Sequence, residues 1–421
     1  MKKTLLYSAL TIFALISFGF NYYPIDGYNQ TGITRLLQLE KIVRDSIKYT
    51  RIPAGAYFKL SDIKLNLVSR SKDSVGEIMV EDPDFEKELG RVIPNAGYSA
   101  AIMDMTNPDK LRYAAFRETV GYQPGSVGKI AVITALFTQL KNLCPDSWDQ
   151  RVHYLKTIRK HSRYWGLGDH HTIPIYNPET DKLTKRKVIA SDEFSLYEWA
   201  DHMLSVSNNG AASIVWREAL LMAGLGQDYF TTTEEEQEQW FKDTPRDTLT
   251  NLANRVVNEP LRNLGISKDE WRLGSFFTTS ANKYVSDKGG SIGTPVGLMK
   301  YLVQLEQGNV VDRNSSLEIK RLLYMTDRRI RYAYSKELDS AAVYFKSGSL
   351  YKCDREKDPD CAAYAGNVYN YMNSVIIVEH PNDVKYIVVL ETNVLNKNSA
   401  GAHMYLASAI DKIINRKEET D

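Results

Sequence analysis

Pro124-Gly125-Ser126-Val127-Gly128-Lys129 runs into the apolar segment Ile130-Ala-Val-Ile-Thr-Ala-Leu-Phe137 and sets a hydroxyl and an amine three residues apart. On a helix such positions share one face, one turn apart, so the lysine can take the proton of the serine beside it. A helix beginning at the serine adds the unpaired N–H groups of its first turn, which favour negative charge near the oxygen. That is the chemistry of a nucleophile in acyl transfer. The other common use of a serine here is as a helix N-cap. Spacing alone does not choose, because Ser69-Arg-Ser-Lys72 and Ser280-Ala-Asn-Lys283 share it. Only the match at Ser126 has a turn before it and a long apolar segment after it.

The elements that must position this stretch follow from residue periodicity. Residues 97–105 and 111–116, joined by a turn at Asn107-Pro108, read as antiparallel strands leading to Ser126. Helical patterns follow at 194–204, 211–222, 249–264 and 295–305, and the run of threonines and acidic residues over 231–238 reads as a capped, solvated helix start. A hairpin is expected around Thr172-Ile-Pro-Ile-Tyr176. Strands return at 341–346, 371–378 and 384–390, before a helix at 402–414. Strands at both ends with helices between predict an α/β (α+β) fold, an antiparallel sheet flanked by helices with an inserted all-helical domain. Residues 96–125 and 326–417 would build the sheet domain and 126–325 the helical one, with the site in the cleft between them. Residues 26–95 form an N-terminal extension, with an amphipathic helix over 31–47 and strand-like pieces such as Lys64-Leu-Asn-Leu-Val68.

The chain has 421 residues and the composition of a folded globular protein, and its formal charge of +1 gives no global attraction to nucleic acid. Met1-Lys2-Lys3 and the apolar run to Phe20 have the form of a bacterial export signal. Residues 1–25 are therefore expected to be a cleaved signal peptide or a retained membrane anchor, with the protein exported to the periplasm or facing it. In an oxidising compartment Cys353 and Cys361, bracketing a charged loop, could staple a hairpin, leaving Cys144 as a buried or free thiol. The spacing of a cysteine zinc cluster and a nucleotide-binding glycine loop are both missing, so no metal or cofactor is expected. Asp169-His170-His171, with His161 nearby, reads as a polar loop, since adjacent histidines on a strand would face opposite ways.

Three motifs stand in one order: Ser126-Val-Gly-Lys129, Ser207-Asn-Asn209 and Lys346-Ser-Gly348, placed on a helix start, an inter-helix loop and a strand end. Together they resemble the signature of the serine β-lactamases and penicillin-binding proteins, S-x-x-K, S-x-N and K-[ST]-G. Leu261-Arg-Asn-Leu-Gly265 and Thr294-Pro295 are similar to landmarks of the class A branch, and the resemblance spans residues 96–417. It implies a catalytic set of Ser126 as acylated nucleophile, Lys129 as its base, Ser207 as proton bridge and Lys346 as carboxylate-holding cation. It further implies that Asn209 binds the substrate amide, that Ser347, Gly348 and Ser349 line the substrate strand, and that the N–H groups of Ser126 and Ser349 form an oxyanion hole.

One departure concerns the glutamate with which class A β-lactamases hydrolyse the acyl-enzyme. Counting back from Thr294-Pro295 puts Thr278 at its place and Asn282 at the loop asparagine, and no glutamate lies between Trp271 and Thr294. Glu259-Pro260 precedes Leu261 and so falls before that loop. The expected activity is an exported serine hydrolase acylated by β-lactams or D-Ala-D-Ala-type peptides. The alternatives are a penicillin-binding DD-peptidase with slow deacylation and a non-catalytic cell-wall peptide-binding domain.

Overall fold

Val375-Ile-Ile-Val378 and Ile387-Val-Val-Leu390 are apolar at consecutive positions, which suits strands covered on both faces. In the computed structural model, which describes residues 27–45, 54–56, 58–327 and 329–416, they are central strands of the main sheet. The expected signal or anchor over residues 1–25 lies outside the described residues. Among the described residues, no helix is long and apolar enough to cross a membrane.

The sheet contains β1 (Tyr98–Asp104), β2 (Arg112–Phe116), β3 (Ala342–Lys352), β4 (Tyr369–Glu379) and β5 (Lys385–Asn393), in the spatial order β2-β1-β5-β4-β3 with every neighbour antiparallel. One face carries Ile102, Ile376 and Val388 and is covered by Leu406, Ala407 and Ile410 of the C-terminal helix Ser399–Ile414. The other carries Ala101, Val375 and Val389 and joins the core of the helical half. There the helix Lys129–Leu143, buried along most of its length, packs against Asn209–Leu225 and Arg246–Asn263.

The late strands run further than their apolar pattern suggested. Gly348 pairs with Asn373 and Asn373 with Glu391, so ladder hydrogen bonds continue through polar positions. Lys346-Ser347-Gly348 accordingly lies inside β3 and not at its end. Burial holds Glu391 well above the usual carboxylate range, which favours its neutral form.

The N-terminal extension departs most from expectation. The helix expected over 31–47 is the shorter Leu36–Asp45, preceded by a separate turn at Gly27–Thr31, and residues 46–47 lie outside the described residues. The strand-like piece at 64–68 is no strand, because its backbone is satisfied by groups of two helices. Lys320 Nζ donates to Lys64 O at 2.6 Å, and the N–H groups of Asn66 and Leu67 donate to the Glu306 carboxylate at 2.6 Å and to Glu306 O at 3.0 Å.

Arg35 fastens this extension to the helix Leu196–Leu204, which leads into Ser207. Its guanidinium makes a two-pronged bond to buried Asp201, both N···O distances 2.6 Å, and donates to Met325 O. Arg35→Ala would strand the Asp201 carboxylate in the core, and is expected to cost about 3–5 kcal/mol in denaturant unfolding.

Candidate active site

Ser126 sits on a 3₁₀ turn, Gly125–Gly128, that feeds the helix Lys129–Leu143. The turn starts at Pro124 with no side-chain cap, so the Ser126 hydroxyl is not spent as an N-cap. Two glycines allow the turn to meet β3. Gly125 has φ +52°, and a Cβ on Gly348 would stand 2.2 Å from Pro124 O and 2.8 Å from Ser126 N. Only glycine fits at 348. Gly125 in turn lies against Ser349 N, where an added Cβ would be 3.2 Å away. The two N–H groups expected to form an oxyanion hole thus belong to segments in direct contact.

Lys129 is fully buried, and its Nζ lies 2.9 Å from Ser126 Oγ, 2.6 Å from Ser207 O, 2.7 Å from Asn209 Oδ1 and 3.2 Å from Ser207 Oγ. Burial pushes its pKa down to about 7, against an opposing pull from Asp169. A neutral amine has two hydrogens and one lone pair. The hydrogens serve the two nearest pure acceptors, Ser207 O and Asn209 Oδ1, and the lone pair is left for the Ser126 O–H. Lys346 Nζ donates to Ser207 Oγ at 2.8 Å, so Ser207 stands between the two lysines. Burial and the nearby charges of Lys129 and Arg331 hold Lys346 well below its ordinary value. Ser207 has φ +60°, a left-handed conformation sparsely populated by non-glycine residues.

All eight site residues expected from the motifs converge here, and six of them, Ser126, Ser207, Asn209, Lys346, Ser347 and Ser349, line one cleft of about 860 Å³, with Lys129 bonded to the first three. Gly348 forms the contact with the nucleophile turn. The other two S-x-x-K matches lie on separate 3₁₀ turns, and Ser280 Oγ donates to Trp165 O. Glu259 is exposed on the helix Arg246–Asn263, where it pairs with Arg255.

Three contributors escaped the motif reading. Asp169 accepts from Asn209 N at 2.6 Å and from Asn209 Nδ2 at 3.1 Å, which clamps the amide whose oxygen faces Lys129. Burial acts to raise the Asp169 pKa, but bonds from His171 and the Asn209 N–H bring it down to about 2. Strand alternation does not apply to its histidine neighbours, because residues 166–172 are irregular backbone and the rings of His170 and His171 lie 4.1 Å apart. Asp169, His170 and His171 bring three ligand-type atoms within 4.8 Å of one another, yet both Asp169 oxygens are already committed to Asn209 and His171. Asp169→Asn removes a negative charge near Lys129 and weakens the clamp. It is expected to slow acylation roughly tenfold to hundredfold and to move the Lys129 titration below about 7, read from acylation rate against pH.

The second contributor is Phe277. Thr278, the position counted as the class A glutamate, turns its hydroxyl to Trp165 O and Ser213 Oγ, while the Phe277 ring lies 5.0 Å from Lys129 Nζ. The third is Arg331, whose Nη1 and Nη2 donate to Ser347 Oγ at 2.7 Å and Ser349 Oγ at 2.8 Å. A lone phenylalanine or arginine carries no motif, so the sequence offered no signal for either. The disulfide Cys353–Cys361 forms as expected, and Cys144 is a buried free thiol.

A family model described as Beta-lactamase2, beta-lactamase enzyme family, matches residues 84–414. The chain belongs to the beta-lactamase enzyme family. No curated protein sequence matches it significantly. Among solved structures, a β-lactamase from Sphaerobacter thermophilus DSM 20745 is 13% identical and aligns over 80% of this chain and 99% of its own at a TM-score of 0.50. A class A β-lactamase representative from Bacteroides cellulosilyticus DSM 14838 is 14% identical, over 80% and 98%, at 0.51. A point mutant of PBP-A, in an acyl-enzyme complex with penicillin G, is 9% identical, over 80% and 99%, at 0.50. At these identities the likeness establishes the β-lactamase fold, a five-stranded antiparallel sheet with many helices.

Proposed function

We propose that this member of the beta-lactamase family is an exported serine acyl-transferring enzyme, acylated on Ser126 by β-lactams or D-Ala-D-Ala-type peptides and slow to release the acyl group. The observation that carries the reading is the buried Lys129 amine, 2.9 Å from Ser126 Oγ with its pKa pushed down to about 7. In this mechanism Ser126 Oγ attacks the carbonyl carbon and passes its proton to Lys129. The carbonyl oxygen gathers charge beside the N–H groups of Ser126 and Ser349. The C–N bond then breaks, and the leaving nitrogen takes a proton from Ser207 Oγ, resupplied by Lys129 or Lys346 through their contacts with that oxygen.

Slow deacylation is supported by the charges around the cleft. Among the described residues lining it, the only carboxylate is Asp327, which is paired with Lys185. The side chain over Lys129 is the apolar ring of Phe277. Among the described lining residues none therefore offers an unpaired carboxylate to activate a water against the ester, which favours a penicillin-binding DD-peptidase over an efficient β-lactamase. The Arg331 guanidinium, with the Lys346 amine nearby on the same cleft, suits a substrate carboxylate. Export is supported by the N-terminal apolar run and by the Cys353–Cys361 disulfide.

The test is to incubate the purified protein with several penicillins, following intact mass together with hydrolysis of a chromogenic cephalosporin. A persistent adduct with little turnover supports the DD-peptidase reading. Fast turnover would move the function to β-lactamase, and neither adduct nor turnover would sink acylation by this substrate class.

A further inference from the structure

The connection between β3 and β4 runs over residues 353–368 and is cross-linked by Cys353–Cys361. It is built back onto the body of the protein. The Asn367 side chain accepts from Asp354 N at 2.7 Å and donates to Asp354 O at 2.9 Å. Tyr364 O accepts from Ser399 N at 2.9 Å and from Ser399 Oγ at 3.0 Å, at the start of the C-terminal helix. Those anchors hold Tyr364 at φ +60°, and Arg331 opposite it stands at φ +56°. Two non-glycine residues in the left-handed region face each other across one contact, a conformation that persists where the surroundings over-determine it. The contact is a stack: Arg331 Cζ lies 5.1 Å from the Tyr364 ring centroid, and Tyr351 packs edge-on against that ring at 5.5 Å.

What Arg331 does with its fork gives the stack a chemical consequence. Ser347 Oγ and Ser349 Oγ each accept a guanidinium N–H. A serine oxygen that accepts there has its own O–H free to donate elsewhere, and both serines line the cleft. The guanidinium thereby turns two hydroxyl donors toward an incoming anion, beside Lys346.

We propose that Tyr364, held by the stapled loop, is a positioning residue for recognition of the substrate carboxylate: it fixes the Arg331 guanidinium, which aims the Ser347 and Ser349 hydroxyls. This rests on the acylation reading above and adds to it the element that selects the anionic end of the substrate. Tyr364 touches neither the nucleophile nor its base, so its effect falls on recognition of the carboxylate and not on the chemical step.

The test compares acylation of the full chain by penicillin G and by its methyl ester, which keeps the β-lactam and removes the negative charge, followed by intact mass over time. Wild type should prefer the free acid. Tyr364→Ala should lower acylation efficiency with the acid roughly threefold to thirtyfold, the worth of a cation–π contact, and leave the ester unchanged. Tyr364→Phe, which keeps the ring, should behave as wild type, and Cys353→Ser with Cys361→Ser should shift the protein toward the Tyr364→Ala behaviour. A parallel fall for acid and ester would mark a merely structural role and overturn the proposal, as would an unchanged preference for the acid in Tyr364→Ala. A wild-type protein acylated by neither compound would sink the acylation reading itself and this proposal with it, an outcome distinct from the other two.

Discussion

Ser126→Ala should abolish the covalent adduct with penicillin, and no other serine should replace it. Removing the nucleophile removes the only step that traps the ligand, so the rate of adduct formation is expected to fall on the order of 10⁴-fold to 10⁶-fold. The surroundings are already complete without the hydroxyl. The 3₁₀ turn is held by Val127 N donating to Pro124 O, and Lys129 keeps three further oxygens around its amine. The variant is therefore expected to fold, and its loss of labelling reads chemistry directly. Ser280→Ala is the matched control, because Ser280 shares the S-x-x-K spacing and is bonded to Trp165 O instead of a lysine. Intact mass after exposure to penicillin G checks both. A Ser126→Ala protein that still gains the mass of a whole penicillin would overturn the assignment of the nucleophile.

The second large effect belongs to Lys129. Lys129→Ala should slow acylation by about 10²-fold to 10⁴-fold, the usual worth of a positioned base. The sign of its pH dependence follows from burial. Lys129 must be unprotonated to accept the Ser126 proton, and its pKa lies at about 7. Acylation should therefore be fully developed above that value and fall about tenfold per pH unit below it. Phe277 helps to keep water from the amine, so Phe277→Ala should ease the desolvation and move the midpoint upward. The measurement is the acylation rate across a pH series, with circular dichroism to confirm that the fold persists throughout. A profile with no inflection near neutrality would rule out Lys129 as the base.

The motif reading picked out residues that the fold brings together, for a definite reason. A nucleophile and its base one turn apart, an inter-helix S-x-N and a K-S-G strand are local patterns, each readable within a few residues. Helix starts were equally legible, since capping is local. Thr233 and Glu236 form the expected capping box ahead of Glu234–Asp243, and Thr294 caps Pro295–Gln307. The strand ends were less so. Ser347 and Glu391 fall just past the apolar runs, and only pairing with a neighbouring strand keeps the chain extended through them.

By itself the sequence determined which serine stands beside a lysine, in what order the three motifs come, and that strands from both ends enclose a helical segment. Those features depend on neighbours along the chain. The tertiary structure alone decided how Lys129 loses its proton, through burial under Phe277, and that Asp169, 40 positions before Asn209, clamps its amide. It alone set Arg331 on Ser347 and Ser349 and laid Tyr364 over Arg331. Desolvation and charge act through space, so residues with no shared motif set the surroundings of Lys129 and of the Ser347 and Ser349 hydroxyls.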